Sequence, residues 1–293
     1  VVKLLERIVR NHVTSHLTRN NLLSDAQFGF REGRSCTLQL LLSVEEWSEQ
    51  LDRGLSVDVA FLDFSKAFDI VSHLHLINKL RAHGIRGTIL AWIHNFLSDR
   101  HQRVAVGDTL SSWRSVTSGL PQGSVLGPTL FLVYINDLPS ISLCNTKLFA
   151  DDTKASNTIA SIEDCDSLQK DIDAKYQWSK DWQISFNSQK SHIMHMGSKN
   201  PKQAYHLGEE VLVPSKEEKD LGVTVDYDLQ FNAHINNVSS KASQTLGIIR
   251  RTFRHLDTES FTIIYKAKVR SLMEYASPVW STNTKKNARK LES

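Results

Sequence analysis

Apolar residues recur at Val2, Leu4, Leu5, Ile8 and Val9, a spacing that predicts an opening helix with one apolar side. A second helix is predicted from a Ser35 or Thr37 cap to about Asp52, ended by Gly54. Leu38, Leu41, Leu42, Val44 and Trp47 are its expected buried side. Val57–Phe64 reads as a strand. Helical spacing returns over 72–82 and 88–97, broken near Gly84 and Gly87, and makes Trp92 a core residue before a nucleotide platform. Gln102–Val106 and Trp113–Val116 resemble the strands of a hairpin around Gly107–Asp108. Leu130–Ile135 is apolar throughout, as a central buried helix would be, and Pro128 suits its first turn. A helix over 161–182, a strand over 191–196, a hairpin over 219–225 and helices from Phe231 onward complete an α+β pattern.

Two places on this frame carry concentrated chemistry. Asp63 stands at the end of the first strand, where an acid can face a cleft on a rigid support. The alternative is that Asp63 or Ser65 caps a helix starting near Lys66, with Asp69 in its first turn beside the helix dipole. Asp58 reads as structural or surface-exposed. The second place is Lys147–Leu148–Phe149–Ala150–Asp151–Asp152–Thr153–Lys154. A flat strand would send adjacent acids to opposite faces, whereas a tight turn projects them together. Paired carboxylates repel unless a cation neutralises them, and Mg²⁺ at phosphoryl-transfer sites uses one or two carboxylates plus substrate phosphates. An ordinary surface turn has the same composition.

Two loops add to this. Gln27–Phe28–Gly29–Phe30–Arg31–Glu32–Gly33–Arg34–Ser35 holds two glycines and two arginines able to reach phosphate. The run from Ser118 to Pro128 holds three glycines and two prolines, a shaped loop rather than a linker, with Gln122 able to donate and accept hydrogen bonds. His12 with His16, and His192 with His195, lack a third ligand and do not make metal sites.

Net charge is only +3, but its distribution is uneven. From Lys241 to Ser293 there are eleven Lys or Arg against four Asp or Glu, while the rest of the chain is slightly acidic. A basic C-terminal lobe beside carboxylates suits a polyanion, though a solvated helical surface has the same charge. Cys36, Cys144 and Cys165 show no CxxC spacing, which argues against a zinc or disulfide scaffold and fits a reduced, intracellular setting. No 18-residue apolar run and no signal peptide point to a membrane. The chain opens at Val1 directly in an amphipathic pattern, and is expected to be part of a longer product.

Six segments, in order, resemble the reverse transcriptase domain of animal non-LTR (LINE-type) retrotransposons, nearest the jockey-like and CR1-like branch. They are Gln27–Arg34; Phe61–Leu62–Asp63–Phe64–Ser65–Lys66–Ala67–Phe68–Asp69; Ser118–Pro128; Phe149–Ala150–Asp151–Asp152; Asn187–Ser188–Gln189–Lys190–Ser191; and Leu221–Gly222–Val223. The resemblance reaches Tyr275–Trp280 and covers nearly the whole chain. It implies a right-hand polymerase with an antiparallel-sheet palm, partial fingers and a helical thumb. The expected divisions are fingers 1–56, palm with inserted fingers elements 57–229, and basic thumb 230–293. It implies RNA-directed DNA synthesis: a primer 3′-hydroxyl is extended with dNTPs on an RNA template by two-metal-ion phosphoryl transfer, in retrotransposition.

Asp63 and Asp151 would be the main ligands of two Mg²⁺ ions, with Mn²⁺ as a substitute, and Asp152 the third acid. Phe68 would lie under the incoming sugar and leave no room for a 2′-hydroxyl. A buried helix-face phenylalanine is the plainer reading, and both can hold. Gln122 would contact the nucleotide or its template pair. Lys190 would assist pyrophosphate departure, and Arg31 would approach template or triphosphate. Arg250, Arg251, Arg254, Lys266, Lys268 and Arg270 would grip the RNA–DNA hybrid backbone. The implied partners are template RNA, DNA primer and an upstream endonuclease domain, with no membrane. The implied location is the nucleus for target-primed synthesis, with a cytoplasmic ribonucleoprotein stage. The family's Arg-Pro-Ile segment upstream of these motifs is absent from this sequence. The alternative is a catalytically inactive or co-opted module that binds RNA or RNA–DNA. An RNA-templated RNA polymerase stands third, disfavoured by Phe68.

Overall fold

A computed structural model describes residues 2–253, 255–281 and 285–292. Its centre is a five-stranded sheet in the order Val213–Pro214, His192–Met196, Ser56–Leu62, Asp152–Ile159, Asn145–Phe149. The four long strands pair antiparallel, as expected, but Val213–Pro214 runs parallel to His192–Met196, so the sheet is mixed rather than purely antiparallel. Ser56–Leu62 takes the middle because its residues are almost all buried on both faces.

Helices cover both faces. Helix α1 (Val2–Arg19) runs ten residues past the apolar spacing that announced it. Helices α2 (Cys36–Asp52), α3 (His73–Ala82), α4 (Gly87–Leu97), α5 (Gly127–Ile135) and α6 (Ile162–Asp181) lie within two residues of their expected bounds, and α7 (Asn232–Thr252) starts one residue after Phe231. Ser35 caps α2 through the Leu38 N–H at 3.1 Å, and Pro128 starts α5, whose body is buried all round. Helix α5 packs with Phe64, Leu76, Leu80, Ile93 and Trp178 in the largest core. Two expectations fail locally. Residues 65–69 form turns, with Lys66 at φ +51°, and the next helix starts only at His73 under a Ser72 cap, so Asp69 has no helix terminus to serve. In α2, Trp47 is buried, but Leu38 and Leu42 are exposed while Gln39, Leu40 and Ser43 go inward. Seven Leu, Val and Trp residues spread round that helix leave its inward face undetermined by spacing.

A second core joins α2 and the sheet to the C-terminal helices. Leu40, Trp47, Val57, Val59, Met194 and Met196 pack with Val223, Val225, Phe231, Ile235, Val279 and Trp280. The Glu217–Asp220 and Val223–Asp226 strands form the expected hairpin between them. Asp58 is fully buried and structural: it accepts from His195 Nδ1 (2.7 Å), Asn200 (2.7 Å) and the Tyr205 hydroxyl (2.6 Å). Among the described residues no helix is long and apolar enough to cross a membrane.

Candidate active site

Strand register brings the acids together. Leu62 pairs with Thr153, so Asp63, the next residue, emerges at the end of the sheet that carries the Asp151–Asp152 hairpin. The Asp63 N–H donates to Ser191 Oγ at 3.1 Å, and its carbonyl accepts from the Asn187 N–H at 2.7 Å. These two bonds fix the backbone just past the strand.

The hairpin itself is tight. Phe149 pairs with Asp152, leaving Ala150 and Asp151 as the turn, with Ala150 at φ +52°. A side-chain-bearing residue in that region costs about 1 kcal/mol or more, so something must hold it. Gln27 does. Its Oε1 accepts from the N–H groups of Ala150 (2.9 Å) and Gly29 (2.7 Å), and the 26–28 backbone bonds on both sides of Leu148. Gly29 lies so close that a Cβ there would stand 2.4 Å from the Ala150 nitrogen. The sequence marked 27–35 as a glycine loop with phosphate-reaching arginines. It gave no sign that Gln27 and Gly29 buttress a turn more than a hundred residues away.

The electrostatics match converging carboxylates. Burial raises the Asp151 pKa, and the Asp63 charge raises it further. Asp152 is pushed up to about 6 by burial, then by Asp151, Asp220 and Asp63, with Lys154 opposing. Asp220 is the second participant the sequence did not single out. It is buried at the end of the 217–220 strand and pairs with buried Lys154 at 2.5 Å. Among the described residues no group of three or more His, Cys, Asp or Glu closes into a metal cluster. Converging carboxylates at the end of one sheet still fit a Mg²⁺ ion completed by substrate phosphates.

Beside the acids, the 66–72 turns pack against the glycine-rich loop. The Leu120 N–H donates to the Phe68 carbonyl (2.7 Å), and the Gly119 N–H to that of Val71 (2.8 Å). A Cβ on Gly119 (φ +85°) would meet the Asp69 carbonyl at 2.5 Å. Gln122 Nε2 donates to Asp69 Oδ1 at 3.2 Å, which gives Asp69 a positioning contact in place of the expected helix role. Phe68 is half-buried and stacks on Phe131 at 4.4 Å. Lys190 is largely exposed, with Nζ 3.8 Å from Asp63 Oδ2.

Other expected residues lie elsewhere. Arg31 donates to the Ser24 carbonyl at 2.6 Å and faces Asp25, and burial lowers its pKa. Arg250 and Arg251 are exposed at the end of α7. Lys266, Lys268 and Arg270 are exposed on the next helical segment, where Arg270 pairs with Glu274 at 2.5 Å. Arg254 lies outside the described residues.

Residues 1–247 match the family model described as reverse transcriptase (RNA-dependent DNA polymerase). The chain is 29% identical over 293 residues to the probable RNA-directed DNA polymerase from transposon BS of Drosophila melanogaster, covering 95% of this chain and 32% of that protein. It is 30% identical over 246 residues to the RNA-directed DNA polymerase from mobile element jockey of the same species, covering 80% and 27%. The chain thus spans about a third of the length of the curated relatives it matches. Among solved structures, apo telomerase from Candida tropicalis aligns over 97% of this chain and 50% of its own, with a TM-score of 0.53 at 10% identity, a likeness of fold alone.

Proposed function

The chain belongs to the reverse transcriptase family, as a domain of the non-LTR retrotransposon kind, and from that premise we propose that it is the RNA-directed DNA polymerase core of such an element. The observation that carries this reading is the register that sets Asp63 beside the Asp151–Asp152 turn, where burial and neighbouring carboxylates raise the pKa of Asp151 and Asp152. We assign residues 57–229 as palm, 1–56 as part of the fingers and 230–293 as thumb.

Asp63 and Asp151 would hold Mg²⁺, with Asp152 as the third acid. Bound there, two such ions would lower the pKa of the primer 3′-hydroxyl and neutralise the triphosphate and the departing pyrophosphate. The protein's own part is placement. Asp63 is fixed through Ser191 and Asn187, and Asp151 through the Gln27 staple. Phe68, backed by Phe131, forms the wall on which the incoming sugar rests and leaves no space for a 2′-hydroxyl. Gln122, oriented by Asp69, faces the nascent base pair. Lys190 is close enough to the acids to meet the leaving pyrophosphate, and its exposed side chain is free to move. The exposed cations on α7 and the 266–270 segment would follow the hybrid backbone by charge.

The test is primer extension on an RNA template with dNTPs and Mg²⁺, comparing the protein with its Asp151→Ala variant. Metal-dependent DNA synthesis that disappears on substitution is expected. A folded protein that binds primer–template and adds no nucleotide would replace this reading with the RNA or RNA–DNA binding module.

A further inference from the structure

Residues 101–115 are all exposed, yet they are ordered into two short antiparallel ladders. His101–Gln102 pairs with Arg114–Ser115, and Ala105–Val106 with Thr109–Leu110. The Val116 N–H donates to the Arg100 carbonyl at 2.8 Å and closes the root. Gln102 lies opposite Arg114 while Ala105 lies opposite Leu110, so the returning strand carries one extra residue, a bulge that re-aims side chains. A lone two-stranded ribbon is marginal in water, and this one packs into none of the hydrophobic cores.

What it displays is specific. Trp113 is 59% exposed, and the Arg103 guanidinium lies 4.5 Å from its ring centroid. Among the described residues the arginines that meet a carboxylate within ion-pair distance are Arg31, Arg34, Arg53 and Arg270, so Arg100, Arg103 and Arg114 stand unpaired. The ribbon's acids are Asp108 at the tip and Asp99 at the root. The returning strand then runs directly into Ser118–Gln122, where Ser118 Oγ donates to the Asp69 carbonyl at 3.2 Å. The ribbon is therefore rooted at the candidate active site.

We propose that this ribbon is a contact for single-stranded RNA, the unpaired template beside the site. A base stacks on the Trp113–Arg103 platform, and Arg100 and Arg114 meet the flanking phosphates. Bases stack on aromatic and guanidinium planes regardless of sequence, and the guanidinium fork matches phosphate. An apolar protein partner would be served by the exposed Val104, Val106 and Leu110, but it gives no use to three unpaired arginines. The proposal rests on the polymerase reading for the direction of the strand, but its binding chemistry is independent of catalysis.

The test measures affinity of the full chain for two fluorescein-labelled RNA–DNA primer–templates, one blunt and one with a 12-nucleotide unstructured RNA 5′ overhang. Trp113→Ala and Arg103→Ala are expected to weaken overhang binding about 10-fold and leave blunt binding unchanged. Trp113→Phe should keep most of the affinity. Removing Arg100 or Arg114 should flatten the salt dependence of overhang binding. Circular dichroism checks that each variant is folded. Equal weakening on both substrates, or none on either, overturns the proposal. So does a Trp113→Ala variant that keeps RNA affinity and loses self-association in sedimentation, which would mark a protein contact. Asp151→Ala separates the two readings, since it should bind the overhang normally without extending. If the wild-type chain extends nothing but Trp113→Ala still loses overhang affinity, the polymerase reading fails and the ribbon stands.

Discussion

Lys154→Met should be among the most destabilising single changes in the chain. Lys154 Nζ and Asp220 Oδ2 are 2.5 Å apart, and the two side chains are 5% and 4% exposed. Removing the cation strands a buried carboxylate. Breaking a buried pair in this way costs about 3–5 kcal/mol, a large share of the roughly 5–15 kcal/mol that holds a domain folded. The cost should sit at the upper end, because Asp220 also faces the negative field of Asp152. Lys154→Met with Asp220→Leu removes both charges, and should recover most of the loss or exceed wild-type stability. The assay is urea unfolding at pH 7, followed by circular dichroism, for the wild type, both single variants and the double. A Lys154→Met cost under about 1 kcal/mol, or a double variant as unstable as the two singles added together, would refute the reasoning.

Gly29→Ala places a methyl group 2.4 Å from the Ala150 nitrogen, so the acid turn must shift; extension activity should fall about 100-fold in a protein that still folds, measured by single-nucleotide incorporation. Asp152 has a folded pKa of about 6 against an unfolded value near 4, so the folded state holds the proton more tightly. In metal-free buffer the melting temperature should therefore decline as pH rises from about 4 through 6 and level off above; in Asp152→Asn that slope should be reduced, and an unchanged slope would contradict the assignment. Phe68→Ala removes the ring stacked on Phe131 and should reduce the preference for dNTPs over ribonucleotides at least about 10-fold; unchanged discrimination would remove Phe68 from that role.

Long-period features were legible in the sequence. The first strand, the buried α5 and the helix over 161–182 follow from apolar spacing, because each has one environment along its length. The hairpin expected over 219–225 also matches. The acids were marked by type, and the register that joins Asp63 to Asp151 makes physical sense of a separation the sequence leaves unexplained. Other features depend on residues distant in the chain. Lys66–Asp69 has helix-compatible residues, yet close packing of the Gly119 backbone holds it in turns. Gln27 reads as one polar residue in a loop, and its role exists only once Ala150 is beside it. Lys154 and Asp220 are two ordinary charges until burial pairs them.

The order of the strands has a consequence for synthesis on the ribosome. Ser56–Leu62 takes its two neighbours from 152–159 and 192–196, so about 90 further residues must be made before its first partner exists. At roughly 5–20 residues per second, an apolar strand with two open edges waits several seconds or more. Such non-local pairing is also slow to form. Products truncated before residue 152 would present that strand with both hydrogen-bonding edges unpaired, and should depend on chaperones or aggregate.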